Sequence, residues 1–179
     1  MTARFLLQKA LYRILKAANM RSPAPPAWFN FAAQVNEEGK TFKGETVLLD
    51  DDIDLNNEPW TPIGQTGSTE FKGVFDGQGY TIKNLYIDST AETGAHYSSG
   101  LFGWLENHGD GIVIKNVNVD GATVKGNHNC AVIAGYVYGT IENCHVTDAE
   151  IVCTHANEDA GGDCTGANVN EALIGRVMD

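Results

Sequence analysis

The chain has 179 residues, 42% of them hydrophobic, which is enough to build one sizeable core. Its formal net charge is −11, but residues 1–21 carry five cations and no acid, so the remainder holds 7 positive against 23 negative charges, or −16. A body of that sign repels phosphate groups, and this argues against nucleic-acid binding.

Residues 1–21 have the periodicity of an amphipathic helix, with an apolar face and cations around it. Four of the five cations, Arg4, Lys9, Arg13 and Lys16, lie around this apolar face. They interrupt the apolar residues, so the segment is neither a secretory signal nor a transmembrane span. Three prolines in residues 22–27 predict a stiff spacer. Two roles stay open for the helix, a cap on the following domain or an anchor on another protein or an anionic membrane.

Residues 28–42 predict a second, short helix that ends at Gly39. From residue 43 onward the apolar residues alternate as they do in strands. In "LLDDDIDL" this alternation places Asp50, Asp52 and Asp54 on one strand face, where their carboxylates are candidate ligands for calcium. The alternative is a solvated outer face with no bound ion.

Two elements recur in the strand-rich region. "GLFGWL" at 100–105 has degenerate copies "VIAGYV" at 132–137 and "ALIGRV" at 172–177, and a second element with asparagine in third place starts at Ile82, Ile114 and Ile141. The matching positions are Gly100, Leu101, Gly103, Ile133, Gly135, Leu173, Gly175, Asn84, Asn116 and Asn143. The glycines of the first element lie 32 (103 to 135) and 40 (135 to 175) residues apart, a spacing that indicates a repeat architecture.

Three segments, "WTPIG" at 60–64, "FKGVFDGQGYTIKNLYI" at 71–87 and "GLFGWL" at 100–105, resemble the GLUG-motif family of right-handed parallel β-helices of bacterial surface proteins. The resemblance covers the chain from about residue 28 to its end. It implies an all-β fold, a right-handed parallel β-helix over residues 43–179 preceded by one or two short α-helices.

In such a solenoid each coil buries its inner side chains against the coils above and below. Leu101, Ile133 and Leu173 would then form an inward ladder, and the three asparagines a second ladder at a bend. The repeat glycines would lie where the backbone turns or approaches a neighbour too closely for a Cβ atom.

All four cysteines lie in the last third of the chain, and none forms a CxxC pair, which argues against a structural zinc site. Cys153 and Cys164 flank an acidic loop, and we predict a disulfide between them. Cys144 is expected to point inward as a small core residue.

The sequence nominates no catalytic residue. It has no arginine between Ser22 and Gly175 and no GxSxG, HExxH, P-loop or GxGxxG motif. We expect a structural or adhesive module of a bacterial cell-surface protein or a phage particle, located outside the cell, on its surface or in a virion. The alternative is a carbohydrate-binding or polysaccharide-degrading β-helix. The rings available for sugar stacking are Trp60, Tyr80, Tyr86, Trp104, Tyr136 and Tyr138.

The repeat that opens at residue 171 reaches Asp179 before the strand that should follow it. A solenoid cut at this point exposes a strand edge and apolar side chains. We therefore expect either that the natural protein continues, or that a partner or a second copy docks around Leu173, Ile174 and Val177.

Overall fold

The computed structural model describes residues 5–6, 27–65, 69–92, 98–106, 111–127 and 129–153. This part of the chain is mostly β, as predicted, with one helix, α1 (Ala27–Asn36). The strands are β1 (Phe5–Leu6), β2 (Thr46–Leu48), β3 (Ile53–Asp54), β4 (Val74–Asp76), β5 (Thr81–Asp88), β6 (Phe102–Leu105), β7 (Val113–Lys115), β8 (Asn118–Gly126), β9 (Ala134–Val137), β10 (Thr140–Glu142) and β11 (His145–Cys153).

The strands form three parallel sheets. Sheet A has the order β1-β2-β4-β7-β10, sheet B has the order β11-β8-β5-β3, and sheet C pairs β6 with β9. The chain visits sheets A, B and C in turn and then returns to sheet A beside the strand that it left, so that β4, β5 and β6 are followed by β7, β8 and β9. We call one visit to sheets A, B and C in turn a pass. The first pass starts at β2 and β3, and an isolated bridge from Ile63 to Phe102 brings it into contact with sheet C.

Successive passes differ in length. One register position of sheet A is occupied in turn by Thr46, Val74, Val113 and Thr140. Successive passes are therefore 28 (46 to 74), 39 (74 to 113) and 27 (113 to 140) residues long. In sheet C, Phe102 pairs with Ala134, a separation of 32 residues (102 to 134). The 32-residue spacing between Gly103 and Gly135 is therefore the spacing of one strand pair, while the 40-residue spacing to Gly175 ends outside the described residues.

Apolar side chains from successive passes stack inside the protein. Ile82, Val119 and Val146 share one register position of sheet B, and their exposed fractions are 0%, 1% and 9%. Leu101 and Ile133, one residue before the Phe102–Ala134 pair, are both fully buried. The predicted third member of their ladder, Leu173, lies outside the described residues.

Helix α1 covers an aromatic cluster in the core. The ring of Phe31 lies 5.1 Å from that of Phe42, 5.6 Å from Phe71 and 6.0 Å from Phe75, measured between centroids. Val35, one turn later, is fully buried. The segment that we predicted only as a lead-in to the strands therefore contributes Phe31 and Val35 to the core.

The helix ends earlier than its predicted limits of 28–42. Gly39 has φ of +68°, and the main-chain N–H of Lys40 donates to the carbonyl oxygen of Gln34 at 2.8 Å. This closure with a left-handed glycine satisfies a carbonyl group near the end of the helix. Gly39 is thus part of the stop, as predicted, and the last helical residue is Asn36.

The predicted helix over residues 1–21 is wrong at Phe5–Leu6, which form β1 and pair in parallel with Val47–Leu48 of β2. Strand pairing here satisfies main-chain N–H and C=O groups at the edge of sheet A, and this long-range gain outweighs the local helical periodicity. The four predicted cations of the segment and the proline spacer lie outside the described residues. No helix in the described ranges is long and apolar enough to cross a membrane.

Candidate functional site

Two of the predicted sugar-stacking rings are brought together on sheet C. Trp104 on β6 and Tyr136 on β9 are register partners, with ring centroids 3.8 Å apart and ring planes 5° apart. The Nε1–H group of Trp104 donates to Oε2 of Glu106 at 3.0 Å. Tyr138, two residues after Tyr136, is 37% exposed. We call Trp104, Tyr136, Tyr138 and Glu106 the aromatic strip.

The strip offers limited chemistry to a ligand. A sugar ring packs its C–H groups against the flat face of an aromatic ring, and Trp104 and Tyr136 use one face each on one another. Tyr136 is only 7% exposed. The most accessible ring of the strip is therefore that of Tyr138. Glu106 was not among the predicted site residues. It follows Trp104 by two residues, and in an extended segment such residues lie on the same side, so the sequence could have predicted this contact.

The other predicted rings do not join this strip. Trp60 is a core residue with an exposed fraction of 5%, and its Nε1–H group donates to the carbonyl oxygen of Leu101 at 3.1 Å. Its predicted role as a sugar-stacking ring is therefore wrong. Tyr80 packs partly against the core, and Tyr86 lies on β5 of sheet B. The six rings do not form one platform.

The predicted acidic face is wrong as well. Asp50, Asp52 and Asp54 do not lie on one strand, because β2 and β3 are separate strands with a bend at Asp51 between them. Oδ1 of Asp52 accepts the main-chain N–H of Thr81 at 2.9 Å. Within the part of the chain that the structure describes, no three His, Cys, Asp or Glu side chains are placed to hold a metal ion.

Two exposed carboxylates have pKa values that are lowered by hydrogen bonds at bends. Oδ1 of Asp54 accepts the Nδ2–H group of Asn84 and the main-chain N–H of Asn56, each at 2.8 Å, and these bonds hold the pKa of Asp54 below its ordinary value. The hydroxyl and the main-chain N–H of Thr90 lower the pKa of Asp88 in the same way. Both shifts therefore have a local structural cause.

The three asparagines of the predicted ladder lie at two different bends. Asn143 donates through Nδ2 to Oδ1 of Asn116 at 2.6 Å, and Asn116 donates to Oδ1 of Asp76 at 2.9 Å, both directly after strands of sheet A. Asn84 lies within β5 of sheet B, where the register places it opposite Gly121. The prediction that Asn84 shares a ladder with the other two is wrong.

The shared feature of these positions is their backbone conformation. Asn84, Asn116 and Asn143 have φ values of 56°, 54° and 50°. The register position of Asn84 is occupied in the next two passes by Gly121 and Asp148, with φ values of 71° and 49°. Gly, Asn and Asp tolerate the left-handed region better than other residues. The sequence pattern thus marks a left-handed bend without saying which bend it is.

The glycines of the first repeat lie where neighbouring passes approach closely. A Cβ atom on Gly103 would lie 2.8 Å from the carbonyl oxygen of Gly64, and one on Gly135 would lie 2.8 Å from Cβ of Ser98. A Cβ atom on Gly100 would lie 3.1 Å from the main-chain nitrogen of Gly135. Gly175 lies outside the described residues.

The cysteines divide into two kinds. Cys130 and Cys144 are buried and form no disulfide, and Cys153 is disulfide-bonded. Cys164 lies outside the described residues, so its predicted pairing with Cys153 stays a prediction. Burial raises the pKa of Cys144, which occupies the register position of Val117 in the preceding pass. That thiol fills an inward place in the core.

A buried polar cluster at the turn from sheet B to sheet C escaped the sequence analysis. The hydroxyls of Ser89 and Ser99 lie 2.5 Å apart, and Nδ2 of Asn129 donates to Oγ of Ser98 at 3.2 Å. Within the described ranges, Oδ1 of Asn129 is buried without a hydrogen-bond partner. All four residues are at most 7% exposed, so the cluster is closed to a macromolecular partner.

Comparison with known proteins assigns no function to these residues. No family model matches the chain, and neither the curated proteins nor the solved structures contain a match. The candidate site therefore depends on the geometry alone, and the aromatic strip is its best-defined surface feature.

Proposed function

We propose that the protein is a right-handed parallel β-helix of the GLUG-motif kind, and that it acts as a non-catalytic structural or adhesive module. The observation that supports this proposal most is the repeated visit to sheets A, B and C in a fixed order, with apolar side chains stacked from pass to pass. Parallel strands of one sheet that are joined by crossovers are right-handed in about 98% of cases.

The use of polar side chains in the described region supports a structural role. Asp54, Asp76 and Asp88 accept hydrogen bonds from side chains at bends. The interior carries stacked apolar residues, so a partner is expected to bind on the outer surface or at an end of the solenoid. An acidic exterior favours a cationic or neutral partner over nucleic acid.

The place of action that fits this module is outside the cytoplasm, on a bacterial surface or in a phage particle. A disulfide at Cys153 is compatible with an oxidising environment. β10 and β11 are the last strands of their sheets in the described part, and strand edges pair readily with other chains. Self-association or partner docking at this end, together with the basic N-terminal segment, is the expected means of assembly.

A second candidate function is carbohydrate binding, and the aromatic strip is the observation that favours it. The strip combines the stacked rings of Trp104 and Tyr136 with the exposed ring of Tyr138 and the Glu106 carboxylate, which offer ring surface and hydrogen-bonding groups. In this case the module would attach to a polysaccharide through sheet C and not through a protein partner.

Three measurements separate these functions. A glycan array and a reducing-sugar assay on a polysaccharide panel should both be negative for a structural module, while light scattering should show assembly that grows with protein concentration. Glycan binding that is lost in Tyr138→Ala but kept in Tyr86→Ala, a tyrosine of sheet B, would replace the structural proposal with the carbohydrate one. Sugar release would replace both with an enzyme.

A further inference from the structure

We propose that the buried polar cluster of Ser89, Ser98, Ser99 and Asn129 binds an internal water molecule, and that this water joins the second pass to the third. This goes beyond the structural role above, because it assigns a ligand to a site inside the protein. It rests on two hydrogen-bonding groups that the described residues leave over, the amide oxygen of Asn129 and the hydroxyl hydrogen of Ser98.

The main chain fixes the position of Asn129. The main-chain N–H of Ser99 donates to the carbonyl oxygen of Asn129 at 3.2 Å, and Ser99 also forms a parallel bridge with Cys130. Asn129 has φ of +41°, in the left-handed region, and its exposed fraction is 3%. Its amide therefore has to form its hydrogen bonds inside the protein.

One half of this amide is bonded and the other half is not. Nδ2 of Asn129 donates to Oγ of Ser98 at 3.2 Å, which links the third pass to the second. Oδ1 is buried and meets no donor within the described ranges. Turning the amide over would exchange the two atoms and leave Nδ2 without an acceptor in place of Oδ1. Either orientation leaves one amide atom for a ligand.

The other two hydroxyls of the cluster are already used. Those of Ser89 and Ser99 lie 2.5 Å apart, and Oγ of Ser89 donates to the carbonyl oxygen of Lys125 at 3.2 Å. Because Ser89 has a single hydroxyl hydrogen, which goes to Lys125, Ser99 donates its own hydrogen to Ser89. Neither serine keeps a hydrogen for Oδ1 of Asn129.

Ser98 differs from these two serines. Its Oγ accepts from Asn129, and among the described residues no acceptor is found for its own hydrogen. A water molecule both donates and accepts, so one molecule can take the hydrogen of Ser98 and give one of its own to Oδ1 of Asn129. A single ligand then satisfies both leftover groups.

The chemistry of the cluster selects water over an ion. The buried polar side chains in the described ranges are hydroxyls and one amide, and none of them is charged. A buried ion would therefore lack a compensating charge, which is costly. An unpaired buried amide oxygen is also costly, and proteins commonly satisfy such atoms with buried water.

Relaxation dispersion of the water oxygen nucleus (¹⁷O) counts long-lived internal waters, and hydroxyl hydrogens that exchange with solvent do not contribute to it. Proteins hold about one buried water per 27 residues, so the difference between variants is the informative quantity. Asn129→Leu replaces the amide by an apolar group of similar shape. We expect the dispersion amplitude to fall by the equivalent of one water per chain. An unchanged amplitude in folded Asn129→Leu would overturn the proposal.

The matched control is Asn57→Leu. Asn57 also has a left-handed backbone, with φ of +56°, but it is exposed, so leucine there adds similar backbone strain without touching the cluster. The amplitude of the control should equal that of the wild type. A fall of the same size in the control would assign the change to backbone strain and overturn the proposal.

Ser98→Ala keeps the test sharp if Asn129→Leu does not fold. It removes one partner of the water and keeps the amide, so the residence time of the water should shorten about fivefold, the factor for one net hydrogen bond of about 1 kcal/mol. An unchanged residence time would overturn the bridge to Ser98. A crystal structure of the wild type should show a water within about 3.2 Å of the Asn129 amide. A protein group in that place, or no electron density, would overturn the proposal.

Discussion

Gly135→Ala probes the close approach of passes most directly. The new Cβ atom would lie 2.8 Å from Cβ of Ser98 and 2.8 Å from the main-chain nitrogen of Ser99, and closer still to the carbonyl oxygen of Asn129. These atoms are backbone or rigidly attached to it, so β9 itself has to move. Overpacked sites typically lose about 1–3 kcal/mol, and we expect a loss near 3 kcal/mol here.

The matched control is Gly44→Ala. Gly44 has φ of +73°, and nothing lies within 4 Å of the place that a Cβ atom would take, so alanine there costs only the left-handed backbone penalty of about 1–2 kcal/mol. Urea denaturation followed by circular dichroism measures both variants. The free energy of unfolding falls by about 2 kcal/mol per molar urea. The urea concentration at the unfolding midpoint of Gly135→Ala should therefore be about 0.5–1 M lower than that of the control. Equal midpoints would refute the packing that we infer between passes.

Leu101→Ala should lower the free energy of unfolding by about 2–5 kcal/mol in equilibrium denaturation, because its side chain is fully buried. The pKa of Asp54 is lowered in the folded state, so the unfolded chain binds a proton at a higher pH than the folded chain does. The free energy of unfolding should therefore fall as the pH drops below 3.8. Asp54→Asn should flatten this fall in an acid titration. Cys144, buried and with a raised pKa, should react with a thiol reagent only after unfolding. Deleting residues 1–21 should leave β5 and β8 protected from hydrogen exchange, since α1 lies outside the deleted segment and packs Phe31 in the core, and should abolish assembly seen by light scattering.

Features that depend on local pattern could be predicted from the sequence. Alternating apolar residues predicted strands, and the spacing of Gly103 from Gly135 predicted the register of sheet C, because in a repeat the same short-range rules apply in each pass. The stop at Gly39 was predictable for the same reason, since a left-handed glycine after a helix is a local signal.

Features set by distant partners could not be predicted in this way. Trp60 looks like a surface ring in its own segment, and only its bond to Leu101, 41 residues away, makes it a core residue. Asn84 has the same local pattern as Asn116 but lies at another bend, which the sheet register alone distinguishes. Phe5–Leu6 have helical periodicity, and pairing with β2 overrides it.

The order of the passes has a consequence for how the chain acquires its structure during synthesis. From β2 onward, strand partners lie between 27 (113 to 140) and 39 (74 to 113) residues apart, about one seventh to one fifth of the 179-residue chain. Each strand pairs with one that has already been made, so no pass has to wait for the C-terminus. A nascent chain can therefore fold from α1 onward while the ribosome is still adding residues, and each new pass uses the edge of the previous one as its template.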